Sequence, residues 1–533
     1  MYQKRIDEFS VQFLDKLREK LSYWLLNWAE KQKAVKETNW FLFELQQYRL
    51  LQRSFANTIY EQTRPPEGTK IEFISFRLVE VFHYEDFGKI NFGLKKMFPD
   101  LEKSGNDFLG NFEKTIEVIT TGLWHPVGTL YRDPLNMFGG GRVLRRISEI
   151  HSSIKLIDVD IQKILPSMIV VSFDVQLNKS ATEQLSKLQS QKYLGKSVFK
   201  GITFGKYPSV NMSISSPESV MVASKNDWIS TVRENVEEIV KPYLKGNFLS
   251  EYSNKHHLPS IETYILSCAL SDQKNISCWA KLANHWVNSL GLNLSSNNLF
   301  GNDEVLFCWR SSDRNLEFNN ASKVIVFSEK VSGQVNSAMQ NSQYLINELI
   351  PLVTIVEFLA DSQGVLEKIR RQIFSALGGK RNLSRHIKLY RNLQVLNRIL
   401  QGLNLEIEQK MSFFGHGLFF NLTDLLKIQI DKIKDNKRNK TVEGNLATDG
   451  QERIKSLLKM LSDYIAFTDK FFSTHIELLN IDALYRLQKL TLRLTIIATI
   501  ATIISISSNF SDLVLLFNKF REYITAILRG YLN

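Results

Sequence analysis

Eighteen consecutive residues without a charge, Leu494–Ser511 (LTIIATIATIISISSNFS), follow Arg493 and constrain this chain more than any other feature. A helix of roughly 20 apolar residues crosses a hydrocarbon core of about 30 Å, so the run qualifies as a membrane span. Asp512 interrupts it, and LVLLFN then continues to Asn518. Lys489 and Arg493 stand at its near end, where anchors on the cytoplasmic side are expected. The competing reading is a buried helix inside a large soluble domain.

The sequence before this run reads as one long helix. The last proline is Pro351, and proline breaks helix interiors, so long helices are permitted beyond it. Val335 to Leu377 is apolar at helical spacing and ends at Gly378-Gly379, a C-cap pair. Leu383 to Phe413 and Leu418 to Lys434 repeat the same spacing. Asp435 to Gly450 (DNKRNKTVEGNLATDG) is polar and rich in helix breakers, which predicts an exposed loop. From Gln451 to Ser508 the pattern is continuous and would span about 85 Å at 1.5 Å per residue. Part of such a helix has to project as a stalk or enter a membrane.

The front of the chain is different. Tyr2 to Tyr60 reads as helical, with Trp24, Leu25, Trp28, Phe41 and Leu45 as core candidates. Lys70–Phe82, Ile154–Ile161, Met168–Leu177, Ser219–Ala223, Val305–Trp309 and Lys323–Phe327 read as strands, being rich in β-branched and aromatic residues. Asn226 to Val240 reads as an amphipathic helix closed by Pro242. The expected fold class is an α+β or α/β N-terminal domain, then a long-helix stalk and a C-terminal transmembrane segment or segments. The expected parts are a ligand-sensing domain over 1–330, a helical domain over 331–450 with its loop at 435–450, a stalk over 451–493 and membrane segments over 494–533.

Composition narrows the function classes. The chain has 533 residues, 67 Lys+Arg against 55 Asp+Glu, and a formal charge of +12. That balance suits a cytoplasmic membrane surface or an anionic ligand. No nucleic-acid motif accompanies it, so no direct nucleic-acid partner is expected. A mean hydropathy of −0.16 is too low for a chain lying mostly in lipid. Three cysteines without a CxxC pair provide neither a disulfide framework nor a structural zinc site. The first twenty residues carry no apolar signal core, which predicts no secretory leader.

Within the apolar run, Thr491, Leu494, Ala498, Thr502, Ser505 and Asn509 recur at steps of three or four. They therefore share one stripe of a helix, while Ile496, Ile497, Ile500, Ile503 and Ile504 occupy other faces. A ring of identical helices would turn such a stripe into a hydrated lumen. Close helix packing by small residues explains it equally well.

The segment LQKLTLRLTIIATIATIISIS, Leu487–Ser507, resembles the end of the stalk helix and the first span of the CorA family, whose members carry a run like M-K-x-L-T-[IV]-I-A-T-I there. Leu494-Thr495-Ile496-Ile497-Ala498-Thr499-Ile500 matches it residue by residue. The resemblance implies a cytoplasmic α/β domain, long helices, and a first span lining the pore of a funnel-shaped homopentamer in the bacterial inner membrane. It also implies a short loop and a second span. The family's Gly-Met-Asn signature is absent; Ser507-Ser508-Asn509-Phe510 stands in that neighbourhood, with Asn509 the one candidate to imitate it. The second span, Ser511 to Leu532, holds Asp512, Lys519, Arg521, Glu522 and Arg529, so an interfacial helix is an alternative. CorA-like proteins without the signature act as membrane effectors in type III CRISPR antiviral systems, where a nucleotide second messenger acts on the cytoplasmic domain. The resemblance thus implies a ligand-controlled channel or pore, with a divalent cation or a nucleotide as ligand. The alternatives are a magnesium transporter and a membrane-tethered scaffold for a protein or nucleic acid.

Gly139-Gly140-Gly141-Arg142, with Arg145 and Arg146, is the candidate anion site. Glycines let backbone N–H groups approach a phosphate, arginines clamp it, and a helix starting near Val143 would add its dipole. A turn before a solvated basic helix is the competing explanation. Gly195-Lys196-Ser197 mimics the tail of a P-loop, but Ser190 stands where a glycine is required. His256-His257 reads as a surface pair, His125 as structural, Glu237-Glu238 as a solvated face, and Cys278-Trp279 and Cys308-Trp309 as core. No nucleophile elbow or Ser-His-Asp order stands out, so no catalytic residue and no enzymatic activity are expected.

Overall fold

The computed structural model describes residues 20–21, 24–25, 45–50, 70–101, 124–133, 143–190, 196–203, 209–215, 217–250, 253, 257–267, 299–301, 305–309, 321–328, 335–377, 383–413, 422–427 and 444–530. The chain divides into two compact units, residues 1–368 with 395–461, and residues 369–394 with 462–533.

The first unit is built on a 10-stranded mixed sheet. Its strands are β1 (Lys70–His83), β2 (Trp124–Tyr131), β3 (Val143–Arg146), β4 (Ile154–Leu165), β5 (Met168–Leu177), β8 (Ser260–Ser267), β9 (Leu299–Gly301), β10 (Val305–Cys308), β11 (Ala321–Ser328) and β12 (Leu426–Lys427). The hairpin β6 (Lys196–Thr203) and β7 (Ser209–Ser215) stands apart from it. The sheet order is β12-β9-β10-β11-β8-β1-β5-β4-β2-β3, antiparallel except for the pairs β8–β11 and β2–β3. The central strands are apolar on both faces, and β5 is buried along nearly its whole length, so both faces must be covered.

Helices supply that cover. The α-helices whose bounds lie among the described residues are α1 (Phe87–Met97), α2 (Lys179–Ser190), α3 (Pro217–Val240), α4 (Val335–Leu377), α5 (Leu383–Phe413) and α6 (Leu446–Gly530). Register separates the two sheet faces. Arg77, Val79, Val81 and His83 of β1 face α4, since Arg77 bonds Asn347 and the His83 ring meets Phe358 edge-on at 6.2 Å. Phe76, Leu78 and Glu80 face the opposite way, toward α3 and the segment after it. There α1 lies so close that a Cβ on Gly93 would collide with the Tyr243 carbonyl. Pro351 sits inside α4, so the Asn347 carbonyl has no amide to accept from at that turn. Leu349, Ile350, Leu352 and Val353 around it are fully buried, and that burial offsets the lost bond.

Most expected elements are present, and several are corrected. Ser219–Ala223 is helical, lying in the first turns of α3, which starts nine residues before the expected Asn226. Pro217 opens that helix, where a missing N–H costs nothing. Leu422–Lys427, inside the expected helix 418–434, is a turn followed by β12, which pairs with β9. The expected loop 435–450 is helical from Leu446 on. Trp24, expected in the core, is 60% exposed while Leu45 is fully buried. Its neighbour Leu25 is half-buried. Trp28 and Phe41 lie outside the described residues.

The second unit is helical. Tyr390 of α5 stacks on Phe472 of α6 at 4.9 Å, Gln394 donates to Asp469 at 2.9 Å, and Arg370 lies 5.3 Å from the Phe467 ring. Beyond Phe472, every described side chain of α6 from Ser473 to Ala526 is exposed. The helix runs without a break to Gly530. The loop and returning second span implied by the CorA resemblance are therefore not formed: residues 507–512 are helical.

Candidate functional site

The site begins with what α6 exposes. Leu484, Leu487, Leu490, Leu492, Leu494, Ile496, Ile497 and Ile500 are each at least half exposed, and they point to all sides of the helix. A helix apolar all round is not stable in water by itself; it requires lipid or other helices. The hydroxyls in the run do not oppose that. Thr491 donates to the Leu487 carbonyl at 2.9 Å, Thr495 to Thr491 at 2.9 Å, Thr499 to Thr495 at 2.8 Å and Thr502 to Ala498 at 2.8 Å. Each of these four threonine protons is spent within its own helix.

Of the residues expected to line a lumen, Thr491, Leu494, Ala498, Thr502 and Ser505 are all exposed, and Asn509 shares their stripe by position. Among the described residues, one helix is long and apolar enough to cross a membrane, Leu345–Gln372 in α4, and 78% of its window is buried inside the protein. It is a core helix lying on the sheet.

The anion candidates behave differently. Gly139, Gly140, Gly141 and Arg142 lie outside the described residues. Val143–Arg146 is strand β3, so no helix dipole starts there. Arg145 and Arg146 are successive strand residues and turn to opposite faces. Arg145 donates to the Lys96 carbonyl at 2.9 Å and to that of Met97, capping the last turn of α1, and lies over the Tyr243 ring at 5.5 Å. Arg146 donates to the Arg132 carbonyl at 3.0 Å and is otherwise exposed. Of the pair, Arg146 keeps the freer guanidinium edge.

Three buried ionisable clusters were not singled out by pattern. On the α4 face, Arg77 pairs with Asp174 at 3.2 Å, bonds Asn347 and lies 5.4 Å from the Trp124 ring. Asp158 accepts from Thr129 at 2.5 Å in the next strand, and Ser172 and Asp160 are opposed in register nearby. On the other face, the Glu80 carboxylate accepts the amides of Val81, Phe248 and Leu249 at 2.8–2.9 Å. It thereby pins the segment after α3 to the sheet. Burial pushes its carboxyl up to about 8, against the pull of those donors. Lys225 of α3 donates to the Tyr264 hydroxyl at 3.1 Å, which donates to Glu262 at 2.5 Å, with Lys323 opposite Glu262 on β11. Burial and then Lys323 push the Lys225 ammonium down to about 7.

The remaining motifs have structural roles. Glu237 is buried rather than solvated: it accepts the Leu258 amide at 2.8 Å, pairs with His257 at 2.9 Å and lies near Arg233, while Glu238 is exposed. Burial pushes the Cys308 thiol up to about 11, so it is an inert core group. His256, Cys268 and Cys278 lie outside the described residues. Among the described residues no group of three or more His, Cys, Asp or Glu is arranged to hold a metal.

No protein-family model matches the chain, and no curated protein matches it.

Proposed function

We propose that the chain is a CorA-like homo-oligomeric membrane channel or pore-type effector, controlled by a ligand bound to its cytoplasmic α/β body. The observation that carries this reading is the exposed, internally satisfied apolar stretch of α6. One copy leaves this surface bare, and lipid with neighbouring copies would cover it. The same helix starts among the packed elements of the first unit at Leu446, so a shift there reaches the apolar stretch through unbroken backbone. The lumen residues are Thr491, Leu494, Ala498, Thr502, Ser505 and Asn509. The controlling ligand is a small anion by charge balance, and a nucleotide by the family resemblance; no catalytic step is assigned.

The test uses the purified full chain in detergent and in liposomes. A ring of 61.6 kDa subunits in detergent sizes well above the monomer, at about 300 kDa for five. Thr502→Lys and Ser505→Lys should leave membrane extraction unchanged, because both sites avoid lipid, and should cut or abolish ion flux. A detergent-free soluble monomer sinks the reading, as does unaltered flux in both variants.

A further inference from the structure

The continuity of α6 adds one residue to the stripe, and it is charged. Residues 507–512 are helical, so the phase set by Thr491 and Leu494 persists past the position where a loop was expected. From Asn509 the next step of three is Asp512. It lies 18 positions beyond Leu494, five whole turns at 3.6 residues each, and so sits on the same side of the helix. It is the one ionisable residue among Asp, Glu, Lys and Arg between Leu494 and Asn518, and it is exposed on the single chain.

We propose that Asp512 is a lumen-facing carboxylate, repeated once per subunit, that selects cations at the far mouth of the pore. The inference rests on the pore reading above. Asp512 is 19 positions past Arg493, about 28 Å along the helix axis, which is close to the far edge of the hydrocarbon layer. A carboxylate at that depth is costly against lipid and is accommodated facing water or the bundle interior. A ring of carboxylates around a narrow path attracts cations and repels anions. Arg486, Lys489 and Arg493 recur at steps of three and four on a different stripe, so the near half of the lumen carries no matching basic ring. Lys519 returns to the Asp512 stripe two turns later, beyond the apolar stretch, where water and salt screen it.

Two measurements on the full chain test this. In planar bilayers under a potassium chloride gradient, Asp512→Asn should lower the cation-to-anion permeability ratio by roughly threefold or more, and Asp512→Lys should invert the preference. Lys519→Gln should leave it nearly unchanged. Oxidative cross-linking with copper phenanthroline does not depend on the channel being open. Above the background of the native cysteines, Asp512→Cys and Thr502→Cys should form dimers, and Ile500→Cys on the opposite side should not. Dimers at Thr502→Cys without dimers at Asp512→Cys overturn this inference and leave the pore reading standing. No dimers at either position, in a monomeric chain, overturn both. An unaltered permeability ratio in Asp512→Asn also overturns the selectivity role.

Discussion

Arg77→Ala is expected to destabilise the first unit by about 3–5 kcal/mol, because it strips the partner from a buried charge. The guanidinium joins three elements: Asp174 on β5 at 3.2 Å, Asn347 on α4, and the Trp124 ring on β2. Both charged side chains are under 10% exposed, so water does not replace what is lost. Asp174 would remain as an uncompensated carboxylate between the sheet and α4, and the Asn347 oxygen would lose its donor. The unfolding entropy grows with size, so for a unit as large as this one each kcal/mol shifts the melting temperature by roughly 1 °C, and the drop should be about 3–5 °C. The double variant Arg77→Met with Asp174→Leu separates pairing from packing. Replacing a buried pair by apolar groups of similar volume is often nearly neutral, so it should regain most of the loss. Calorimetry on the two single variants and the double supplies the cycle. Purely additive losses would mean that the pair is not coupled, and that Arg77 acts through its aliphatic stem alone.

Both Arg77 and Glu80 lie in KIEFISFRLVEVF, which the sequence marks as a strand. Alternation places Arg77 and Glu80 on opposite faces, but pattern alone does not reveal that both faces are buried. That fact comes from the distant elements α4 and the segment after α3, separated from β1 by over 150 residues, and no local signal encodes it. Elements with strong local marks were legible. Met168–Leu177, Val335–Leu377 and Leu383–Phe413 fall at the boundaries that the pattern sets, through dense β-branched content in the first and apolar steps of three and four in the others. Short apolar runs were ambiguous. Ser219–Ala223 reads as a strand by residue type, yet it follows Pro217, and a proline at a first helical position is the cue that would have reversed the assignment. Val143–Arg146 reads as basic and helical, yet it pairs in parallel with β2, a contact visible only in three dimensions. The stripe Thr491–Asn509 was legible as a shared helix face because it is one-dimensional periodicity, whereas Asp512 was not, because its place on the stripe depends on the helix continuing through Ser508. The three buried clusters share one cause of illegibility: their partners meet across the sheet or from a helix or segment, distant in sequence, laid over it.

The pH profile of stability should be a valley with its floor near pH 7–8, set by two buried groups whose slopes oppose each other. The ordinary Glu80 value of 4.5 is pushed up to about 8 in the folded chain, chiefly by burial. The folded state therefore holds a proton that the unfolded chain has released, and the contribution present below about pH 4.5 is lost as pH rises through 8. The ordinary Lys225 value of 10.5 is pushed down to about 7, first by burial and then by Lys323, with Glu262 pulling the other way. Its neutral form is the one the fold accommodates, so the contribution present above about pH 10.5 is lost as pH falls through 7. Each limb should amount to a few kcal/mol, at about 1.4 kcal/mol per pH unit of separation, reduced by relaxation around the buried group. Glu80→Gln cannot ionise. It should flatten the limb below pH 8 and lower stability, because its amide nitrogen meets at least one of the three backbone amides that the carboxylate oxygens accept. Lys225→Met should flatten the limb above pH 7 and leave the Tyr264–Glu262 bond in place. Urea midpoints of the detergent-solubilised chain from pH 5 to 9.5 read both limbs. If the acid limb keeps its slope in Glu80→Gln, the proton is held elsewhere, and the carboxyl enclosed by the Phe248 and Leu249 amides is ionised throughout.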